Sequence, residues 1–311
     1  MDATDGPPFF IVGNDRSGTT MLRLALDRGG VAIPPESMFL VDFAPVRRRG
    51  GLQDPAAAAA FVRRVWAHPR VRVWGLAGEP PAVPPGLAHD EAYRFAVEAP
   101  FRAYAAARGK PRWADKTPLY LAYVEELAAV WPDARFVVLV RDGRDVALSL
   151  LRVPFGPNNV WAAARFWAQG IRLGLDAAAR HPDRVRTVHY EDVVADPPSA
   201  LRPVCEFLGL AYGDEMLTIG ISADSVGTWR RDMSPRAQRV FASVAGAELE
   251  LMGYEQGPHG ADATPLGAPA RLYAAHDAAV RVANFVRLRL VEERGREVGY
   301  VLRRKLVGAW R

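Results

Sequence analysis

Residues 9–36 read FFIVGNDRSGTTMLRLALDRGGVAIPPE. Phe9–Val12 is a short apolar run of strand-forming residues, bounded by Pro8 before it and Gly13 after it. A tight polar loop, Gly13 to Thr20, follows. Apolar residues then recur at Met21, Leu22, Leu24, Ala25 and Leu26, with Arg23, Asp27 and Arg28 between them, the pattern of a helix buried on much of its surface. A strand, a glycine-bounded loop and a helix start together make an anion cradle. The first-turn N–H groups of the helix have no partner within it, and the helix dipole adds to their pull on a negative charge.

The loop nearly spells the triphosphatase signature G-x-x-x-x-G-K-[ST]. Gly13 and Gly18 have the spacing and Thr20 holds the hydroxyl position, but Thr19 stands where the lysine belongs. That lysine reaches the β- and γ-phosphates, so its loss argues against ATP or GTP as a phosphoryl donor. What remains can hold one 5′-phosphate, through Ser17, Gly18, Thr19 and Thr20, with Arg16 near whatever is attached beyond it.

Phe136–Val140 (FVVLV) is an uninterrupted run of β-branched and aromatic residues, the pattern of a central parallel strand covered on both faces. Arg141-Asp142-Gly143-Arg144-Asp145 follows as a loop, and a helix begins at Val146. Arg141, at the carboxyl end of the strand, and Ser149, two turns into the helix, can together grip a second phosphate. Two such sites on adjacent strand–loop–helix units suit a nucleotide phosphorylated at both 3′ and 5′ positions and bound beyond the strand ends.

Trp113 to Pro118 (WADKTP) reads as a loop leading into a helix over Leu119–Trp131, which Pro132 ends. Lys116 there can reach into a cleft. Further on, Val185–Tyr190 reads as a strand, Glu191–Val194 leads out of it, and Pro198–Gly209 reads as a helix. Ser225-Val226-Gly227-Thr228-Trp229-Arg230-Arg231 is the last distinctive segment, after which Ser234 opens a helix running to about Gly253.

Together, RSGTT after an apolar strand, the K-T-P segment, Arg-x7-Ser after FVVLV, YEDVV followed by FLGL, and S-x-G-x-W-R resemble the sulfotransferases that use 3′-phosphoadenosine-5′-phosphosulfate (PAPS), in their bacterial and tyrosylprotein branch. The resemblance covers roughly residues 9–255. It implies an α/β, phosphate-loop-like fold with a central parallel sheet flanked by helices. It also implies sulfuryl transfer from PAPS to an acceptor hydroxyl or amine, releasing adenosine 3′,5′-bisphosphate without a metal. In this branch a catalytic glutamate follows the RSGTT loop and its short helix, and Glu36, twenty residues after Arg16, has that spacing. Many soluble members instead use a histidine just after the catalytic lysine, but none stands near Lys116-Thr117-Pro118-Leu119. The resemblance makes Lys116 the group that bridges the transferring sulfuryl and places Ser225 near it. Arg141 and Ser149 fall at the 3′-phosphate, Tyr190 near the nucleotide, Trp229 against adenine, and Arg230 or Arg231 at the 3′-phosphate. The acceptor stays open among small molecules, carbohydrates, lipids and peptides. A nucleotide-binding regulatory module, or a small-molecule kinase with a degenerate phosphate loop, is the alternative.

The net charge of +5 is concentrated at one end. Residues 271–311 hold ten Arg/Lys against four Asp/Glu, so the remainder of the chain is close to neutral and slightly acidic. Charge therefore gives no support to nucleic-acid binding by the main domain. The boundaries expected are a sulfotransferase domain over 1–256, a Gly/Pro/Ala-rich linker over 257–270, and a basic amphipathic helical extension over 271–311. That extension leaves open a docked helix, a homo-oligomer contact or a peripheral membrane contact. Residues 37–110 carry no motif; Ala56–Trp66 and Asp90–Arg108 read as helices and Arg47–Gly51 as an exposed turn. The aromatic helix over Asn158–Ala179 places Trp161, Phe166, Trp167, Ile171 and Leu175 on one side. With a single cysteine, Cys205, no internal disulfide can form, and a cytoplasmic location is expected.

Overall fold

A computed structural model describes residues 6–153, 156–257 and 267–291. In chain order the elements are β1 (Phe9–Gly13), α1 (Thr19–Asp27), β2 (Val31–Ala32), α2 (Phe39–Arg49), α3 (Pro55–Trp66), α4 (Pro69–Arg72), α5 (His89–Ala106) and β3 (Arg112–Lys116). A 3-10 turn (Pro118–Tyr123) leads to α6 (Val124–Val130), β4 (Arg135–Val140), α7 (Gly143–Leu150), α8 (Val160–Arg180), β5 (Val185–His189), α9 (Tyr190–Ala195) and α10 (Pro197–Leu208). After a second 3-10 turn (Asp214–Ile219) come α11 (Trp229–Asp232), α12 (Pro235–Leu251) and α13 (Gly267–Val291).

The five strands form one parallel sheet in the order β2-β3-β1-β4-β5. Side chains alternate between the faces of a strand, and here the alternation divides two cores. Phe10, Val12, Phe136 and Val138 face a large core with α3, α5 and α8, while Phe9, Ile11, Val137 and Leu139 face a smaller one with α1 and α10. Covering both faces is what a parallel sheet requires, and it explains why β1 and β4 are almost wholly apolar. From β1 the chain goes to β2 and β3 on one side of it and then crosses to β4 and β5 on the other, so the crevice at the carboxyl ends of β1 and β4 is the topological switch point.

Four readings are corrected. Trp113–Lys116 is strand, not loop: β3 is polar in composition yet fully buried, because its charged residues find partners elsewhere in the fold. Leu119–Trp131 is a 3-10 turn followed by α6. Arg47–Arg49 closes α2 instead of forming a turn, its three cations suiting a helix C-terminus. On α8, Trp167 and Ile171 are buried but Leu175 is exposed, since Gly174 and Ala177 form the buried side of the helix's last turns and Leu175 lies away from it.

Helix α13 begins at Gly267, before the expected end of the linker. Linker residues 258–266 and extension residues 292–311 lie outside the described residues. The helix is tied to the start of α8, where Asn158 N–H donates to Asp277 Oδ1 at 2.8 Å and Asn159 Nδ2 to the Tyr273 carbonyl at 2.9 Å. Among the described residues no helix is long and apolar enough to cross a membrane.

Candidate active site

The loop after β1 turns sharply. Arg16 has φ +72°, uncommon for a residue with a Cβ. Gly18 has φ +89°, and a Cβ there would lie 2.4 Å from the Tyr190 ring, so only glycine fits this close approach at the mouth of α1. Ser17 and Thr19 are buried, while Arg16 and Thr20 are exposed.

Arg16, Ser149, Arg141, Tyr190 and Ser225 form one hydrogen-bonded group. Arg16 Nε donates to Ser149 Oγ at 2.9 Å. Arg141 donates through Nη1 to the Arg16 carbonyl at 3.2 Å and through Nη2 to the Ser225 carbonyl, and its guanidinium lies 4.8 Å from the Tyr190 ring centroid. The hydroxyls of Tyr190 and Ser225 are 3.0 Å apart. Arg141 Nε, and Ser17 Oγ in the loop next to Arg16, are buried without a hydrogen-bond partner. Buried donors left unpaired are costly. Their location, beside a helix mouth with its own unpaired amides, suits anionic oxygen atoms of a nucleotide.

Lys116 and Glu36 meet on the other side of that mouth. Lys116 Nζ donates to Glu36 Oε1 at 2.8 Å and to Thr20 Oγ1 at 3.2 Å. The lysine side chain is 5% exposed and the glutamate 18%, so the pair opens outward through the carboxylate. Arg70 of α4 donates from Nε to the Glu36 carbonyl at 2.8 Å.

The segment ending in Trp229 is placed by Asp145, a residue whose role no local pattern announces. Its carboxylate accepts from the backbone N–H of Gly227 at 2.7 Å, from Thr228 Oγ1 at 2.8 Å and from Trp229 N–H at 2.9 Å. Trp229 is buried, with the Arg144 guanidinium 3.5 Å from its ring centroid. Arg144 is held in turn by both oxygens of Asp142. Arg230 pairs with Glu255 at 2.8 Å, and Arg231, 79% exposed, pairs with Asp232 at 2.7 Å. Neither guanidinium joins the Arg16–Arg141 group through a hydrogen bond.

Asp115 is likewise silent in the sequence. It is fully buried, and burial pushes its carboxyl up to about 6, opposed by hydrogen bonds from Ser37 and Thr117 and by the nearby Lys116 charge. Among the described residues, no cluster of three or more His, Cys, Asp or Glu side chains gathers as a metal site.

The sulfotransferase family model matches residues 7–214, about two thirds of the chain. The nodulation protein NoeE of Sinorhizobium fredii is 27% identical over 297 residues, spanning 79% of this chain and 66% of that protein. Protein-tyrosine sulfotransferase 1 of Danio rerio is 25% identical over 221 residues, spanning 68% of this chain and 56% of that one. The chain thus spans less than two thirds of these curated relatives. The sulfotransferase domain of the Synechococcus PCC 7002 olefin synthase has a similar fold, with a TM-score of 0.54 at 22% identity over 82% of this chain and 98% of that domain. With the parallel sheet, its anion cradle and a family match over most of the ordered domain, the chain belongs to the sulfotransferase family.

Proposed function

We propose that this protein transfers a sulfuryl group from PAPS to a hydroxyl or amine of an acceptor, leaving adenosine 3′,5′-bisphosphate. One observation supports the reading: Lys116 Nζ is shared between Glu36 and Thr20 at the mouth of the loop–helix turn, so a carboxylate, a cation and a loop hydroxyl are in contact. PAPS supplies the activated sulfuryl group. Ser17, Gly18, Thr19 and Thr20 would hold the 5′-phosphate, and Arg141 with Ser149 the 3′-phosphate. Tyr190 and Trp229 would border the nucleotide, with Arg230 or Arg231 in support.

Glu36 takes the acceptor proton as the acceptor oxygen or nitrogen bonds to sulfur and the bridging S–O bond breaks. Lys116, Arg16 and the first-turn amides of α1 then offset the charge left on the bridging and equatorial oxygens, with Ser225 alongside. The Glu36–Lys116 contact suits this order of events, because a lysine paired with the base before the reaction is at hand when the leaving group needs it. No step needs a metal. The acceptor lies among small molecules, carbohydrates, lipids and peptides, and the tyrosine-protein relatives favour a peptide hydroxyl as the first class to screen. A buried lone thiol at Cys205 is consistent with a cytoplasmic location.

Calorimetric titration separates this reading from a triphosphate-binding module or a kinase. Adenosine 3′,5′-bisphosphate should bind at least tenfold more tightly than ATP. Tighter binding of ATP would overturn the assignment.

A further inference from the structure

Two consecutive residues of β3 grip one dipeptide from opposite faces of the sheet. Lys116, in register with Ile11 on the α1 side, holds the Glu36 side chain; Asp115, in register with Phe10 on the other side, holds Ser37. Ser37 Oγ donates to Asp115 Oδ2, and Thr117 Oγ1 donates to Asp115 Oδ1 at 2.9 Å. Thr117 Oγ1 also accepts the Ser37 N–H at 3.1 Å. The Tyr120 hydroxyl lies 2.8 Å from Ser37 Oγ and accepts the Leu40 N–H at 3.0 Å. With Arg70 on the Glu36 carbonyl, the chain from residue 36 to residue 40 is tied at five atoms.

The backbone so held is strained. Met38 has φ +55°, and among the described residues only it and Arg16 combine a side chain with positive φ. Such a conformation persists where its surroundings over-determine it, which is the condition met in functional sites. The hub is also costly. Asp115 is fully buried and its oxygens accept from hydroxyls, with no ion pair to Lys or Arg among the described residues. An apolar or amide side chain would fill the position with less desolvation. A merely structural hub gives no reason for a carboxylate.

We infer that Asp115 is a positioning residue for the chemical step: through Ser37 and Thr117 it fixes the backbone that aims the Glu36 carboxylate at the acceptor. This rests on the reading of Glu36 as the base. A base must sit within a fraction of an ångström of its productive place, and the Lys116 that pairs with the Glu36 carboxylate serves another part of the reaction.

The test uses Asp115→Asn, Ser37→Ala and Thr117→Val in the full chain, with two readouts. Amide hydrogen exchange of the ligand-free protein should show Ser37 and Leu40 losing protection at least tenfold, with amides of β1 and β4 unchanged. PAPS turnover with water as acceptor should fall 10- to 100-fold, while adenosine 3′,5′-bisphosphate affinity stays within twofold. Thr117→Ser, which restores the hydroxyl, should recover turnover to within threefold. In a Glu36→Gln background, itself lowered by about 10²–10⁴, Asp115→Asn should cost less than threefold, because a carboxamide gains nothing from being aimed. Undiminished protection at Ser37 and Leu40, or a full multiplicative loss in the Glu36→Gln background, overturns the inference and leaves the base assignment standing. Near-normal turnover by Glu36→Gln overturns the base assignment, and the inference with it. Should Asp115→Asn not fold, Ser37→Ala and Thr117→Val carry the same comparisons.

Discussion

Arg141 has two features of note. It ties the phosphate loop to the Ser225 segment through two carbonyls, and it keeps Nε buried and unpaired. Replacing it by alanine should weaken adenosine 3′,5′-bisphosphate far more than adenosine 5′-phosphate, because only the first carries the 3′ charge. A charge-assisted contact contributes about 1.5–3 kcal/mol, so the selectivity between the two nucleotides should fall at least tenfold by calorimetry. Equal losses for both would mean that the arginine acts only on loop structure. The position of Arg141 at the end of β4 was legible from that strand's apolar residues. Asp145, four residues on, was not: its three bonds go to residues more than eighty positions away, and nothing local distinguishes it from an exposed loop acid. Arg230 and Arg231 show the converse, since both looked equally suited to a phosphate and each is paired with a neighbouring carboxylate.

Elements differed in the same way. β1 and β4 could be read because their burial is written in their own residues. In β3, Arg112 donates to the carbonyls of Pro7 and Leu208, Asp115 bonds to Ser37 and Thr117, and Lys116 bonds to Glu36 and Thr20. Apart from Thr117, every partner is supplied by another part of the fold, so a sequence window centred on β3 shows little but polarity. The short helix α4 offers a test of capping. His68 Nδ1 accepts the Arg70 N–H at 3.2 Å, which requires a neutral ring. Burial, reinforced by Arg70 and Arg64, holds the imidazole down to about 4, against 6.5 for a free histidine. The folded state therefore resists a proton that the unfolded chain accepts. Stability from this site is full above pH 6.5 and is lost as pH falls toward 4. His68→Asn keeps a capping acceptor that does not titrate. Urea midpoints at pH 7, 5 and 4 should fall more steeply for the natural chain than for the variant, and parallel curves would exclude a neutral capping ring.

At the scale of the whole molecule, α13 adds stability from outside the sheet. A chain ending at Gly257 loses the Asn158 and Asn159 bonds to Asp277 and Tyr273, each worth about 1 kcal/mol. At roughly 2–4 °C per kcal/mol for a domain of this size, the loss of these two alone should lower its thermal midpoint by about 4–8 °C, while adenosine 3′,5′-bisphosphate still binds. An unchanged midpoint would show that the helix rests on α8 without stabilising it. The strand order has a separate outcome. β1 lies between β3 and β4, so Lys116 and Arg141 end strands that are two lateral spacings apart, about 10 Å. That interval is set by the hydrogen bonds of a sheet buried on both faces, not by loops that can adjust. With Lys116 and Arg141 in their proposed roles, the site would be a fixed gauge, measuring the length of a ligand as well as its charge. A molecule with a single anionic end, or with its charges crowded on neighbouring atoms, engages one side of β1 and leaves the other side unread.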